Sequence, residues 1–208
     1  MAVGDERARM LRVLPLQAVI GLAMLVGGLY GGYYHVPDGA IPAPSSGELS
    51  VKIAYTLRCF LFLALFLGVA VALTGRNRVI VGARNPLSGN EAGMQLHKKR
   101  LTNTLEQTFI YVMLALLLAT LLEKEEMKYI FLSTILFVVG RVLFWVGYGI
   151  HPAYREIGTI LSFGIAMTSL ILSAYLLCSR GFVLGSAVST AAAIAVPTLS
   201  VLGILVPM

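Results

Sequence analysis

Charged residues are scarce in this sequence. Only 12% of the 208 residues are Asp, Glu, Lys or Arg, and 58% are hydrophobic, whereas soluble domains have about 25% charged and about 45–50% apolar residues. Although this length would suffice for one soluble domain, so few charged residues cannot supply the surface of a water-soluble globule. The composition therefore excludes an ordinary soluble protein and predicts that lipid surrounds most of the chain.

Cysteine is almost absent. Cys59 and Cys178 both lie inside apolar segments, which excludes a disulfide framework in the external loops. The three histidines are isolated from one another, so no metal site is predicted. The net charge of +6 does not predict nucleic-acid binding, because the basic residues lie mainly between the apolar segments, where they orient a protein in a bilayer.

Six apolar segments are long enough to cross the roughly 30 Å hydrocarbon layer as helices. They are residues 13–34, 51–74, 101–122, 129–150, 157–178 and 182–206. The sequence thus predicts an all-α membrane protein with six spans, preceded by a cytoplasmic tail at residues 1–12. The first apolar run is too long for a cleaved signal peptide and lacks a clear small-x-small cleavage site, which favours a retained span.

The basic residues also predict the orientation. Segment 75–100 contains Arg76, Arg78, Arg84, Lys98, Lys99 and Arg100 but only one acid, whereas loop 123–128 is net acidic. By the positive-inside rule, the amino terminus, segment 75–100 and the turn near Arg155 are predicted to face the cytoplasm. Six crossings would return the carboxy terminus to the same side.

Several polar residues fall within or at the edges of the predicted spans, where an ionisable group costs at least about 2.5 to 3.5 kcal/mol near the bilayer centre. Lys99, Asn103 and Glu106 follow the i, i+4, i+7 spacing of one helix face. Two interpretations remain open. Glu106 could neutralise Arg58 or Arg141 and hold helices together. Alternatively, this stripe and a similar one formed by Arg141, Trp145 and Tyr148 could form a pocket for a ligand with two carboxylates and one amino group.

Two motifs resemble one known family. Residues 99–106, Lys-Arg-Leu-Thr-Asn-Thr-Leu-Glu, resemble the basic-x3-Asn-x2-Glu signature of the MAPEG superfamily, the membrane-associated proteins in eicosanoid and glutathione metabolism. Arg141, Tyr148 and Arg155 resemble its Arg-x6-Tyr-x6-Arg pattern. The resemblance covers residues 51–178 as a four-helix domain and leaves spans 13–34 and 182–206 as additions, an arrangement similar to the mattrin-like branch.

This resemblance implies a four-helix transmembrane core, a homotrimer, and glutathione bound between subunits near the cytoplasmic side. It implies that a glutathione-dependent transferase or peroxidase acts on lipophilic electrophiles that arrive through the lipid of an endoplasmic reticulum, Golgi or lysosomal membrane. Arg155 would be catalytic and face the thiol. The glutathione-binding residues would be Lys99, Asn103, Glu106, Arg141 and Tyr148.

The sequence departs from the family pattern in ways that bear on catalysis. Lys99 stands where arginine is usual and lacks the guanidinium fork that clamps a carboxylate. Arg100 is adjacent, but it lies about 100° round the helix and is a poor substitute. Phe144 stands where other members carry Tyr or His, and Glu156 can pair with Arg155. An alternative function is therefore a non-enzymatic, mattrin-like regulator of membrane receptor trafficking or turnover, whose partner would be a receptor.

Overall fold

The computed structural model describes residues 3–37, 39–83, 93–151 and 154–179. Within these ranges the regular secondary structure is helical, as expected of apolar segments in lipid, where a helix satisfies every backbone hydrogen bond within itself. A 3-10 turn, Glu125–Met127, precedes α5. The helices are α1 Val3–His35, α2 Leu49–Cys59, α3 Leu61–Ile80, α4 Gln95–Leu121, α5 Lys128–Ile150 and α6 Glu156–Ser179.

Five stretches within the described ranges are long and apolar enough to cross a membrane. They are Val13–His35, Leu49–Ile80, Gln95–Leu121, Glu125–Ile150 and Glu156–Ser179. The prediction of an all-α membrane protein is confirmed, and these stretches correspond to the first five predicted spans. The sixth predicted span, residues 182–206, lies outside the described residues.

The helices extend beyond the predicted apolar segments. The second span was predicted to end at residue 74 but continues to Ile80 through Arg76 and Arg78, and α4 begins at Gln95 rather than at residue 101. Likewise, α1 begins at Val3, within the predicted tail. Apolarity indicates which residues lie in the hydrocarbon, whereas helical hydrogen bonding continues into polar turns outside it, so the helices are longer than the predicted spans.

Glycines allow α5 and α6 to pack backbone against backbone. A β-carbon on Gly158 would collide with the backbone of Phe144, and one on Gly140 would come within 2.9 Å of the backbone nitrogen of Ser162. Small residues at a helix contact permit this approach in lipid, where packing replaces the hydrophobic effect. The close approach brings Ser162 beside Arg141, which follows Gly140 in the sequence.

The added helix α1 packs on the outer face of α5 and α6. Its Gly28 and Gly32 face the side chains of Leu136 and Leu132 of α5. In the contact with α6 the roles are exchanged, because Leu25 of α1 lies over Gly164 of α6. These contacts fix α1 against the four-helix core through alternating small and large residues.

Hydroxyl groups join the helices inside the core. The Tyr111 hydroxyl of α4 lies 2.8 Å from the Ser133 hydroxyl and 2.9 Å from the Thr134 hydroxyl of α5. In the same way the Tyr129 hydroxyl of α5 lies 2.9 Å from that of Ser169 of α6. All of these residues are buried, so these contacts satisfy polar groups that lipid would leave unpaired.

Candidate functional site

A polar groove of about 280 Å3 lies where α4 begins, α5 ends and α6 begins. We call this end of the helix bundle the groove end. Four of the predicted site residues line the groove, and three further side chains complete it. The lining residues are Lys99, Asn103, Phe144, Tyr148, Arg155, Glu156 and Thr159.

The two motifs meet here because of helix geometry. Lys99 and Asn103 are one turn apart on α4 and therefore share a face. Phe144 and Tyr148 have the same spacing on α5, and their rings are in edge contact with centroids 5.5 Å apart. Because α5 runs antiparallel to α6 through the glycine contacts, the start of α6 brings Arg155 to the same place.

Arg141 lies behind the groove wall and is fully buried. Its Nη1 donates a hydrogen bond to Oδ1 of Asn103 at 3.0 Å, and its Nη2 donates to Oγ of Ser162. The guanidinium also lies over the Phe144 ring, 4.7 Å from the centroid. Arg141 thus orients Asn103, while its buried Nε has no hydrogen-bond partner among the described residues.

Arg155 forms an ion pair with its sequence neighbour. Its Nε donates to Oε1 of Glu156 at 3.0 Å, and the side chains are 42% and 25% exposed. The guanidinium also lies 5.2 Å from the centroid of the Tyr148 ring. Desolvation lowers the pKa of Arg155, but hydrogen bonding to Glu156 and its charge, together with Tyr148, raise the pKa above its ordinary value. Arg155 is therefore a permanent cation at the mouth of the groove.

Glu106 is not among the residues that line the groove. It lies on the same α4 face as Asn103 but deeper in the span, and it is exposed on the surface of the protomer. Arg58 of α2 is also exposed. Among the described residues no ion pair joins Glu106 to Arg58 or to Arg141, so the interpretation of Glu106 as a neutralising partner within one protomer is not supported.

Arg100 contacts Trp145 and not the groove, as its position about 100° round α4 from Lys99 predicts. Its guanidinium lies over the Trp145 ring, 4.6 Å from the centroid, and its Nη2 donates to the Trp145 carbonyl oxygen. The indole Nε1 of Trp145 in turn donates to Oγ1 of Thr104 at 2.9 Å. These contacts bind α4 to α5 beside the groove, so Arg100 does not replace the missing arginine at position 99.

Sequence reasoning missed two hydroxyl-bearing residues of the site, Thr159 and Ser162. Thr159 lines the groove, and Ser162 holds Arg141 from α6. Neither belongs to the two motifs. The available signal was the spacing Gly158-x3-Ser162, which places a small residue and a hydroxyl on one face of α6.

The fold and groove define a multi-pass helical membrane protein with a polar site where helices meet at one end of the bundle. The sequence matches the MAPEG family over residues 53–175, which include every predicted site residue. The chain belongs to the MAPEG family. The matched part begins within α2 and ends within α6, so α1 lies outside it.

Two curated relatives bear the name Transmembrane protein 79. The Bos taurus protein is 24% identical over 160 residues, which are 76% of this chain and 40% of the relative. The Mus musculus protein is 24% identical over 147 residues, or 71% of this chain and 37% of the relative. The chain thus spans about two fifths of these relatives, which are consistent with the mattrin-like branch. No solved structure gives a significant match.

Proposed function

We propose that this protein binds glutathione in the groove and acts as a glutathione-dependent transferase or peroxidase on lipophilic electrophiles. The observation that carries the proposal is the convergence of Lys99, Asn103, Tyr148 and Arg155 on one cavity, with Arg141 behind it. Membership of the MAPEG family supports glutathione as the ligand. The lipophilic substrate would enter from the surrounding membrane, for which we propose the endoplasmic reticulum, Golgi or lysosome.

The charges of the groove match those of the ligand. Glutathione carries two carboxylates and an ammonium group, and Lys99 and Arg155 supply cations for the carboxylates. Glu156 supplies a carboxylate within the groove. Arg141 adds a positive charge behind the groove wall and orients Asn103 toward the groove. The residues present therefore fit a zwitterionic tripeptide.

We propose that a second copy of the chain completes the site. The groove measures about 280 Å3, which is near the lower end of the usual range of ligand sites, about 300–1,000 Å3. Glu106 is exposed within the span of α4, on the same helix face as Asn103. An ionisable group at that depth is costly in contact with lipid. A neighbouring protomer in a homotrimer would enlarge the cavity and enclose Glu106 as a further partner for the ammonium group.

Arg155 is the residue that would promote chemistry. A bound thiol reacts as the thiolate, whose formation is favoured by a nearby cation. Arg155 can supply that charge without losing its own proton. However, Glu156 already engages its Nε, and Phe144 replaces the polar ring of other members. We therefore propose that ligand binding is stronger than turnover.

Glutathione binding to the purified full chain in mild detergent tests the proposal. Wild-type protein should bind glutathione saturably at millimolar concentrations, and Glu106→Gln should weaken binding at least tenfold, because a desolvated charge pair contributes about 2 kcal/mol or more. Glu48→Gln is the matched control, since Glu48 is exposed in the loop before α2. Absence of saturable binding would refute the pocket, and equal binding by Glu106→Gln would exclude Glu106 as a partner of the ammonium group.

A second candidate is a non-enzymatic regulator of membrane receptor trafficking or turnover. The Arg155–Glu156 ion pair favours it, because a guanidinium held by a carboxylate promotes thiolate formation less. Conjugation of glutathione to a generic electrophile separates the candidates. Turnover that is lost in Arg155→Ala supports the enzyme, whereas saturable binding without turnover supports the regulator.

A further inference from the structure

A second cavity lies at the end of the bundle opposite the groove. It measures about 360 Å3 and is bounded by the end of α1, the loop that follows it and the 3-10 turn before α5. We call it the loop cavity. Two candidate spans end at His35 and Leu121, and one begins at Glu125, so we infer that the loop cavity lies at the depth of lipid headgroups. Its lining residues are Tyr33, Val36, Pro37, Ile41, Ala43, Lys124, Glu125 and Lys128.

Among the described residues, the charged side chains that line the cavity are two lysines and one glutamate, all from the turn before α5 and its first residue. Glu126 of the same turn does not line the cavity, and its carboxylate accepts a hydrogen bond from the backbone N–H of Glu123 at 2.8 Å. Lys124 and Glu125 come from the turn before α5, and Lys128 is the first residue of the helix. The Lys128 ammonium lies 4.4 Å from the centroid of the Tyr33 ring of α1. This cation–π contact holds the ammonium at the cavity wall, so one of the two cations has a fixed position.

The loop after α1 contributes an aliphatic wall to the loop cavity. Val36, Pro37, Ile41 and Ala43 belong to the loop after α1, which is held in place where the Tyr55 hydroxyl donates to the Pro42 carbonyl oxygen at 2.7 Å. A cavity at the membrane surface that is lined by charged side chains from the turn and by aliphatic side chains from the loop suits an amphiphile. Two cations beside one carboxylate suit a headgroup that carries both a phosphate and an amine.

We propose that the loop cavity binds the phosphoethanolamine headgroup of a membrane phospholipid. The phosphate would lie between Lys124 and Lys128, the ammonium would pair with Glu125, and the glycerol and first acyl carbons would contact the aliphatic wall. Free phosphoethanolamine offers the same polar chemistry without the apolar part. The proposal is independent of glutathione, because the loop cavity and the groove share no residue.

The charges predict an order of preference among lipids. Phosphatidylglycerol has a phosphate for the lysines but no ammonium group for Glu125, so it should bind more weakly than phosphatidylethanolamine. Neutralising Glu125 should remove this discrimination, because specificity is a difference between two affinities. Neutralising the lysines should weaken binding of both lipids.

The test is lipid retention by the full chain in mild detergent, measured by native mass spectrometry with dioctanoyl phosphatidylethanolamine, dioctanoyl phosphatidylglycerol and free phosphoethanolamine. Lys124→Gln/Lys128→Gln should lower phosphatidylethanolamine affinity by about tenfold or more. Glu125→Gln should reduce the preference for phosphatidylethanolamine over phosphatidylglycerol by about tenfold. Lys98→Gln, an exposed lysine at the groove end, is the control and should leave both affinities unchanged.

Three outcomes would overturn the proposal. Affinity that is unchanged in the double lysine variant would exclude the phosphate site, and an unchanged preference in Glu125→Gln would exclude the ammonium site. Equal affinity for free phosphoethanolamine and for the lipid would assign the cavity to a soluble ligand. If the double variant loses helical circular dichroism, Lys124→Gln/Lys128→Arg keeps a cation over Tyr33 and should still lose affinity through Lys124.

Discussion

Arg155 and Glu156 are joined by a hydrogen bond of 3.0 Å from Nε to Oε1. The guanidinium that would face a thiol therefore already has a carboxylate partner. Both side chains are partly exposed, and exposed ion pairs contribute only about 0–1 kcal/mol. The pair restrains Arg155 but leaves it within reach of a bound anion.

Replacing Glu156 should release Arg155. In Glu156→Gln the carboxylate charge is lost, so Arg155 should stabilise a bound thiolate more strongly. We expect conjugation of glutathione to a generic electrophile to rise by up to about fivefold, the equivalent of about 1 kcal/mol, with a matching increase in ultraviolet thiolate absorbance. Glu48→Gln, far along the sequence in the loop before α2, should change neither signal. A lower rate in Glu156→Gln would mean that the contact of Glu156 with the ammonium group of the ligand outweighs its effect on Arg155.

The contact between α5 and α6 predicts that two glycine-to-alanine substitutions differ in their effect on the stability of the protein. Gly158→Ala would force a methyl group into the backbone of Phe144 and should destabilise the protein by about 1–3 kcal/mol. Gly68 of α3 has no atom within 4 Å of the corresponding position, so Gly68→Ala should be neutral or slightly stabilising. Thermal unfolding in detergent measures both changes. Equal midpoints would contradict the tight α5–α6 contact.

The topology can be tested with single cysteines at Ser46 and Ser88 in a background that lacks Cys59 and Cys178. The positive-inside rule predicts that segment 75–100 faces the cytoplasm and that the loop before α2 lies on the other side of the membrane. An impermeant maleimide applied to sealed vesicles should therefore label only one of the two positions. Labelling of both from the same side would contradict the predicted number of crossings between them.

The exposed Glu106 predicts assembly in the membrane. A carboxylate on the protomer surface at this depth is costly in lipid, and a homotrimer could bury it. Cross-linking in membranes should yield a species with three times the 22.4 kDa mass of one chain. Mass photometry in mild detergent provides the second measurement, and a strictly monomeric protein would leave the proposed site incomplete.

Helical periodicity predicted much of the groove. Lys99 and Asn103 on one helix, and the spacing from Arg141 to Tyr148 on the next, follow from 3.6 residues per turn. The apolar runs likewise predicted the five described spans. The spacing within each helix and the apolar runs are local in sequence, so one amino-acid sequence without an alignment is enough to infer them.

Features that depend on helix register could not be predicted in this way. The bond between Arg141 and Ser162 requires the exact offset of α5 against α6, which the glycine contacts set. The position of Glu106 outside the groove depends on the direction in which α4 faces its neighbours. Periodicity places Glu106 on the stripe of Asn103 but does not specify where the cavity wall ends.

The packing of α1 has a consequence for biosynthesis. Its Gly28 and Gly32 face leucines of α5, yet the chain between His35 and Lys128 must be synthesised before α5 begins. During translation, α1 would therefore enter the bilayer before its partner helices exist, and the face with Gly28 and Gly32 would contact lipid. This face is covered only after α5 and α6 have been synthesised and pack against α1. A ribosome that stalls before α5 would therefore leave α1 without its partner helices.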